Sequence, residues 1–139
     1  MGADGVTSVD LLEEMRAALD TLEPLLAGRT VDIEMSRLRV LADPMPFRRV
    51  FAECIRSALA RSEPSDSITV RVSRTGGAAR IEVIDEGGHL TGADHPDLAV
   101  AAEELRGMGG EIGIAEPFGD VICWMTLPMA PGASSAADA

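Results

Sequence analysis

Residues 80–90 read Arg80-Ile81-Glu82-Val83-Ile84-Asp85-Glu86-Gly87-Gly88-His89-Leu90. Ile81, Val83 and their neighbours are β-branched, Gly76-Gly77 precedes them and Gly87-Gly88 follows, so the segment reads as a buried strand emptying into a glycine turn. The strand ends on a carboxylate. At Asp85 the sheet stops and the backbone turns permissive, which lets the side-chain oxygens face a ligand while the glycines admit a planar or phosphorylated group to the main chain. The other reading of the same residues is a strand closing in a tight turn, with no ligand.

Just upstream, Ile68, Val70 and Val72 alternate with Thr69, Arg71 and Ser73, and Gly76-Gly77 returns the chain into the opening strand as a hairpin. Before that, Asp43-Pro44-Met45-Pro46 sets up a helix whose apolar stripe is Phe47, Val50, Phe51, Cys54, Ile55, Ala58 and Leu59. Glu53, Ser57 and Arg61 fall at i, i+4 and i+8, a polar line beside the stripe rather than opposite it. Segments 31–35 and 38–41 predict two strands joined through Ser36-Arg37, as a hairpin. An earlier helix carries Leu11, Leu12, Met15, Ala18, Leu19, Leu22 and Leu26 at helical spacing, after a Thr7 to Asp10 capping-box spacing. Pro24 should strain its last turn and Gly28 end it.

Downstream, Pro96 opens a third helix with Leu98, Ala101, Ala102 and Leu105 on one face, closed by Gly107, Gly109 and Gly110. Segments 112–115 and 121–127 form a last pair of strands around a turn at 117–119. The fold class expected is an α/β (α+β) two-layer sandwich, one mixed and mostly antiparallel sheet with three helices on one face. Residues 1–8 read as a lead-in, 9–130 as one domain and 131–139 as a disordered tail.

Composition narrows the function. Twelve basic residues against 23 acidic leave a net charge of −11, which repels a phosphate backbone and argues against nucleic acid as a partner. Every basic residue is arginine, so chemistry that needs a lysine amine is excluded. Cys54 and Cys123 are too few and too isolated for a zinc site or a disulfide framework and read as buried packing residues. His89 and His95 read as loop residues, since their spacing makes no metal site without added carboxylates. With no apolar run near the roughly 18 residues that span a bilayer and no leader-like start, the expectation is a soluble, cytoplasmic protein with no direct membrane contact.

The order of elements resembles the catalytic and ATP-binding domain of sensor histidine kinases, a branch of the GHKL ATPase superfamily with the Bergerat α/β sandwich. The resemblance covers about residues 9–130 and is carried by Ala42-Asp43-Pro44 leading into the second helix, by the hairpin from Ser67 to Asp85, by Gly109-Gly110-Glu111-Ile112-Gly113, and by the terminal Met125-Thr126-Leu127-Pro128. It implies that Asp85 is the strand-end aspartate of the G1 box, which accepts a hydrogen bond from the adenine amino group, and that Gly87, with Gly88 beside it, belongs to the nucleotide-facing turn. On the second helix it implies that Glu53 holds the position of a base and Ser57 the position of the Mg²⁺-binding asparagine. Arg61 stands one place from the usual lysine, which is Ala60 here.

The same resemblance exposes departures. The second G1 glycine is His89, and the segment that should offer backbone amides to phosphates reads His95-Pro96-Asp97-Leu98-Ala99, with no amide hydrogen on the proline and a negative charge beside it. Ile122 stands where the family often has serine or threonine near the adenine. Each lost charge-assisted phosphate contact costs about 1.5–3 kcal/mol, and each 1.4 kcal/mol is about tenfold in affinity. The implied function is a degenerate histidine-kinase-like ATP-binding domain serving as a protein-interaction module in two-component or phosphorelay signalling, with weak or absent binding of ATP and Mg²⁺. The alternative is a working domain that phosphorylates a histidine on a separate dimerisation domain or chain. Partners on either reading are a kinase dimerisation domain or a response-regulator receiver, with dimer formation left to a missing or partner domain. Asp85 retains its second reading as a structural strand-end carboxylate, and Glu53 as part of a solvated helix face.

Overall fold

The computed structural model of the chain describes residues 5–26, 30–61, 68–85, 98–115 and 121–131, with the side chains of Arg61 and Leu98 outside that description. Strand β1 (Thr7–Asp10) leads into α1 (Leu11–Thr21), and a one-turn helix α2 (Glu23–Leu26) follows. Next come β2 (Val31–Glu34), β3 (Arg39–Ala42), the long helix α3 (Pro44–Arg61), and the hairpin β4 (Ile68–Thr75) with β5 (Ala78–Asp85). Helix α4 (Leu98–Gly107) and strands β6 (Glu111–Ala115) and β7 (Val121–Pro128) complete the order.

Five strands form a sheet in the order β2-β4-β5-β7-β6, parallel only between β2 and β4. Its inner face alternates as expected, with Ile68, Val70 and Val72 on β4, Ala79, Ile81 and Val83 on β5, and Cys123, Met125 and Leu127 on β7 all buried. Helix α3 lies on β5, flanked by α1 and α4, so the helices share one face of the sheet. The buried stripe of α3 includes Phe47 and Phe51, whose rings stack with centroids 6.0 Å apart. The two-layer, mostly antiparallel architecture expected from the sequence is the one observed. No helix among the described residues is long and apolar enough to cross a membrane.

Local details differ from expectation in three places. Strands β2 and β3 do not form a hairpin: β2 runs parallel to β4, while β3 pairs antiparallel with β1 in a separate two-stranded ribbon. Alternation told which faces are apolar but not which neighbour each strand takes. Thr7 is in β1 rather than capping a helix; the cap is Asp10, whose Oδ1 accepts from the Glu13 amide at 3.2 Å. Pro24 does not strain the end of α1 either. The first helix stops at Thr21, and Pro24 sits in the first turn of α2, where a missing amide hydrogen costs nothing.

The end of α4 is fixed by backbone geometry. The Gly110 amide donates to the Leu105 carbonyl at 2.8 Å and the Gly109 amide to that of Arg106 at 3.0 Å, a Schellman closure with Gly109 at φ +87°. A Cβ on Gly110 would stand 2.0 Å from the Thr126 carbonyl oxygen, whereas one on Gly107 would meet nothing within 4 Å. Gly110→Ala should therefore destabilise the fold by about 1–3 kcal/mol, and Gly107→Ala should be neutral or stabilise it by about 0.5–1 kcal/mol. Urea unfolding of the two variants checks this contrast.

Candidate functional site

Asp85 is the last residue of β5 and continues the inward-facing series Ala79, Ile81 and Val83. Its side chain is fully buried, and it is the one charged residue in the buried set among the described residues. Its register partners are Ile68 on β4 and Val121 on β7, both buried and apolar. Placing a carboxylate between two aliphatic neighbours costs several kcal/mol unless it is hydrogen-bonded, so such a residue marks either a ligand position or a fold-specifying contact.

The register also corrects one assignment. Ile122 pairs with Ile84, on the opposite face of the sheet from Asp85, and the β7 residue beside Asp85 is Val121. The next β7 residue on the inner face is Cys123, opposite Val83. Strict alternation back from Leu127 puts Val121 and Cys123 on the inner face, but which of them adjoins Asp85 is set by the β5–β7 register.

Helix α3 carries the polar line. Glu53 is half-exposed, with 50% of its side chain open to solvent, and pairs with Arg56 one turn along. Ser57 follows on the same flank and is half-buried. Arg61 is the last residue of α3 and its side chain lies outside the described residues, as do Gly87, Gly88, His89, His95, Pro96 and Asp97. Glu53 opens onto a cleft of about 260 Å³ between α3 and α4, floored by Val50 and Ala101 and rimmed by Arg49, Val100 and Glu104. Across this cleft Arg49 Nη2 donates to Glu104 Oε2 at 3.2 Å, an ion pair the sequence alone did not indicate. The α3 on β5 packing thus brings the line of Glu53 and Ser57 to the helix layer that covers Asp85, while Glu53 itself points toward solvent.

A larger hollow of about 660 Å³ is lined by Arg106, Gly110, Glu111, Trp124 and Thr126. It lies at the wrong end of the sheet for Asp85, because Thr126 is five residues along β7 from Val121, roughly 17 Å at strand rise.

The donor chemistry fits a nucleotide unevenly. A buried carboxylate at a strand end suits an adenine amino group. A nucleotide-bound divalent cation takes about six oxygens, most of them from phosphates and waters, with few from the protein. Here α3 offers a neutral hydroxyl at Ser57 and a carboxylate already engaged with Arg56, and the described residues contain no group of three or more His, Cys, Asp or Glu able to hold a metal.

No family model matches the chain, and no curated protein matches it. Solved structures do. The nucleotide-free catalytic domain of histidine kinase ThkA superposes with a TM-score of 0.75 at 18% identity, over 91% of this chain and 97% of that one. The mycobacterial sensor histidine kinase MprB gives 0.75 at 18%, over 90% and 98%. ThkA in complex with the response regulator TrrA gives 0.74 at 18%, over 91% of this chain and 42% of the kinase. The fold is that of histidine kinase catalytic domains, and at this identity the likeness is one of fold.

The Arg49 and Glu104 pair is a charge contact joining α3 to α4, with the arginine side chain 68% exposed. Solvent screening at that exposure predicts a coupling free energy below about 1 kcal/mol in a double-mutant cycle of Arg49→Ala and Glu104→Ala, falling further at high salt. Chemical denaturation of the four proteins measures it.

Proposed function

We propose that this chain is a histidine-kinase-like ATPase domain whose nucleotide site has degenerated and which serves as a protein-binding module in two-component or phosphorelay signalling, in the cytoplasm. The observation that carries the reading is the α3 donor set: Ser57 stands where the resemblance implies the cation-binding asparagine, and the neighbouring Glu53 carboxylate is half-exposed and tied to Arg56. Pro96 and Asp97, in the segment that should cradle phosphates, support it from the sequence. Retention of the fold over nine-tenths of the chain supports a role that needs the surface rather than the chemistry.

Losing two charge-assisted phosphate contacts removes about 3–6 kcal/mol, which carries a 1 μM nucleotide site to roughly 0.1–20 mM. Calorimetric titration with MgATP and MgADP should accordingly show no saturable heat in the micromolar range. Micromolar affinity accompanied by turnover would reject the proposal. Restoring the family residue with Ser57→Asn should not by itself recover micromolar binding, because the phosphate side is still missing its donors.

The partner is a kinase dimerisation domain or a response-regulator receiver. ThkA is seen with a response regulator, which makes the receiver the first to test. Among the described residues, Met45 and Val100 are the most exposed large apolar side chains, at 64% and 60%, and they lie on either side of the Arg49 segment of α3. If that face docks a partner, Met45→Asp and Val100→Asp should each weaken binding by about tenfold or more in an anisotropy titration while leaving the thermal midpoint unchanged.

The second reading, a working phosphotransfer domain, is favoured by Asp85, which is retained at the strand end and fully buried on the helix side. Labelled ATP supplied with a dimerisation domain separates the two, since transfer to a histidine of that domain occurs only on the second.

A further inference from the structure

Cys54 and Cys123 are 69 residues apart in the sequence, yet their sulfur atoms stand 2.9 Å from one another. Cys54 is on the buried stripe of α3, one residue from Glu53 and three from Ser57, and Cys123 is on the inner face of β7, opposite Val83. Both are buried, at 3% and 1% exposure, and they are not joined by a disulfide. Packing alone needs only two small side chains here; it does not need two thiols in contact across a helix-to-sheet interface.

We propose that this pair is an oxidisable dithiol, a modification site at which a peroxide links Cys54 to Cys123 and staples α3 to the sheet. One cysteine sulfur attacks a peroxide oxygen, breaking the O–O bond to give a sulfenic acid and one water. The second thiol then attacks the sulfenic sulfur, the S–S bond forms, and the hydroxyl leaves with the thiol proton as a second water. Two thiols and one hydrogen peroxide thus give one disulfide and two waters, with the sulfurs oxidised by two electrons and the peroxide reduced by two.

Geometry selects this chemistry, and burial limits which oxidant can reach it. The sulfurs must close from 2.9 Å to a bond of about 2.05 Å, a step of less than 1 Å. Exposure of a few per cent admits a peroxide far more readily than a bulky disulfide such as oxidised glutathione, and a mixed disulfide would have no room in the core. In a reducing compartment such a bond is transient and acts as a sensor rather than a brace. Its effect falls on the turn of α3 that carries Glu53 and Ser57, whose position over the sheet it would fix. The inference stands whether or not the neighbouring site holds a nucleotide.

The test uses the full chain exposed to a small excess of hydrogen peroxide, followed by native and then denaturing alkylation and peptide mass spectrometry. The expected result is a Cys54–Cys123 cross-linked peptide lighter by two hydrogens, reversible by dithiothreitol. With it should come slower hydrogen exchange along α3 and a thermal midpoint raised by about 5–15 °C. Cys54→Ser and Cys123→Ser should each abolish all three responses, and Cys54→Ala serves where serine in the core prevents folding. Unmodified thiols, over-oxidation to sulfinic acid at either residue without a link, or a link formed only after denaturation would each overturn the proposal.

Discussion

The burial of one side of α3 against the middle of the sheet is the constraint from which the rest of the molecule takes its position. Phe47, Phe51, Ile55 and Ala58 are fully buried on the stripe, and across from them Val70, Ile81, Val83, Cys123 and Met125 present the inner faces of three successive strands. Each large side chain removed from water contributes about 1.5–3 kcal/mol, so this interface dominates any single polar contact. Helix α1 adds Leu11, Met15 and Ala18 on one flank and α4 adds Leu105 on the other. A polar residue beside the stripe, such as Ser57, is consequently held over the sheet at a fixed height whatever its own chemistry.

That arrangement separates the scaffold from the segments where the family resemblance puts the phosphate contacts. The apolar contacts involve α1, α3 and the sheet interior, whereas the residues that would hold a phosphate belong to segments outside the described core, around His89 and from His95 to Asp97. A fold held by such a core can carry different surface chemistries, so stability and site chemistry are separable in principle. Asp85 is the charged residue that belongs to this core among the described residues. It occupies an inward position of the central strand, where an aliphatic residue would be cheaper to bury.

The outer face of the sheet shows the same economy with a different solution. Trp124 lies over Gly113, where a Cβ would come within 2.5 Å of its ring, and the Arg80 guanidinium sits 4.7 Å from the ring centroid. A glycine in β6 thus gives the indole a seat, and the arginine of β5 packs on the ring. No helix is needed on this face.

The sequence by itself determined the elements and their faces: the β4–β5 hairpin around Gly76-Gly77, the α3 stripe with its polar flank, the glycine-closed end of α4, and Asp85 at a strand end. These are legible because side-chain period, β-branching and glycine or proline punctuation act over a few residues. Only the tertiary structure decided that β2 joins β4 in parallel while β3 turns to β1, that Val121 rather than Ile122 adjoins Asp85, that Arg49 reaches Glu104, and that Cys54 meets Cys123. Each of these joins residues far apart in the chain, and such pairings are chosen by how the apolar faces pack together, which no local pattern encodes.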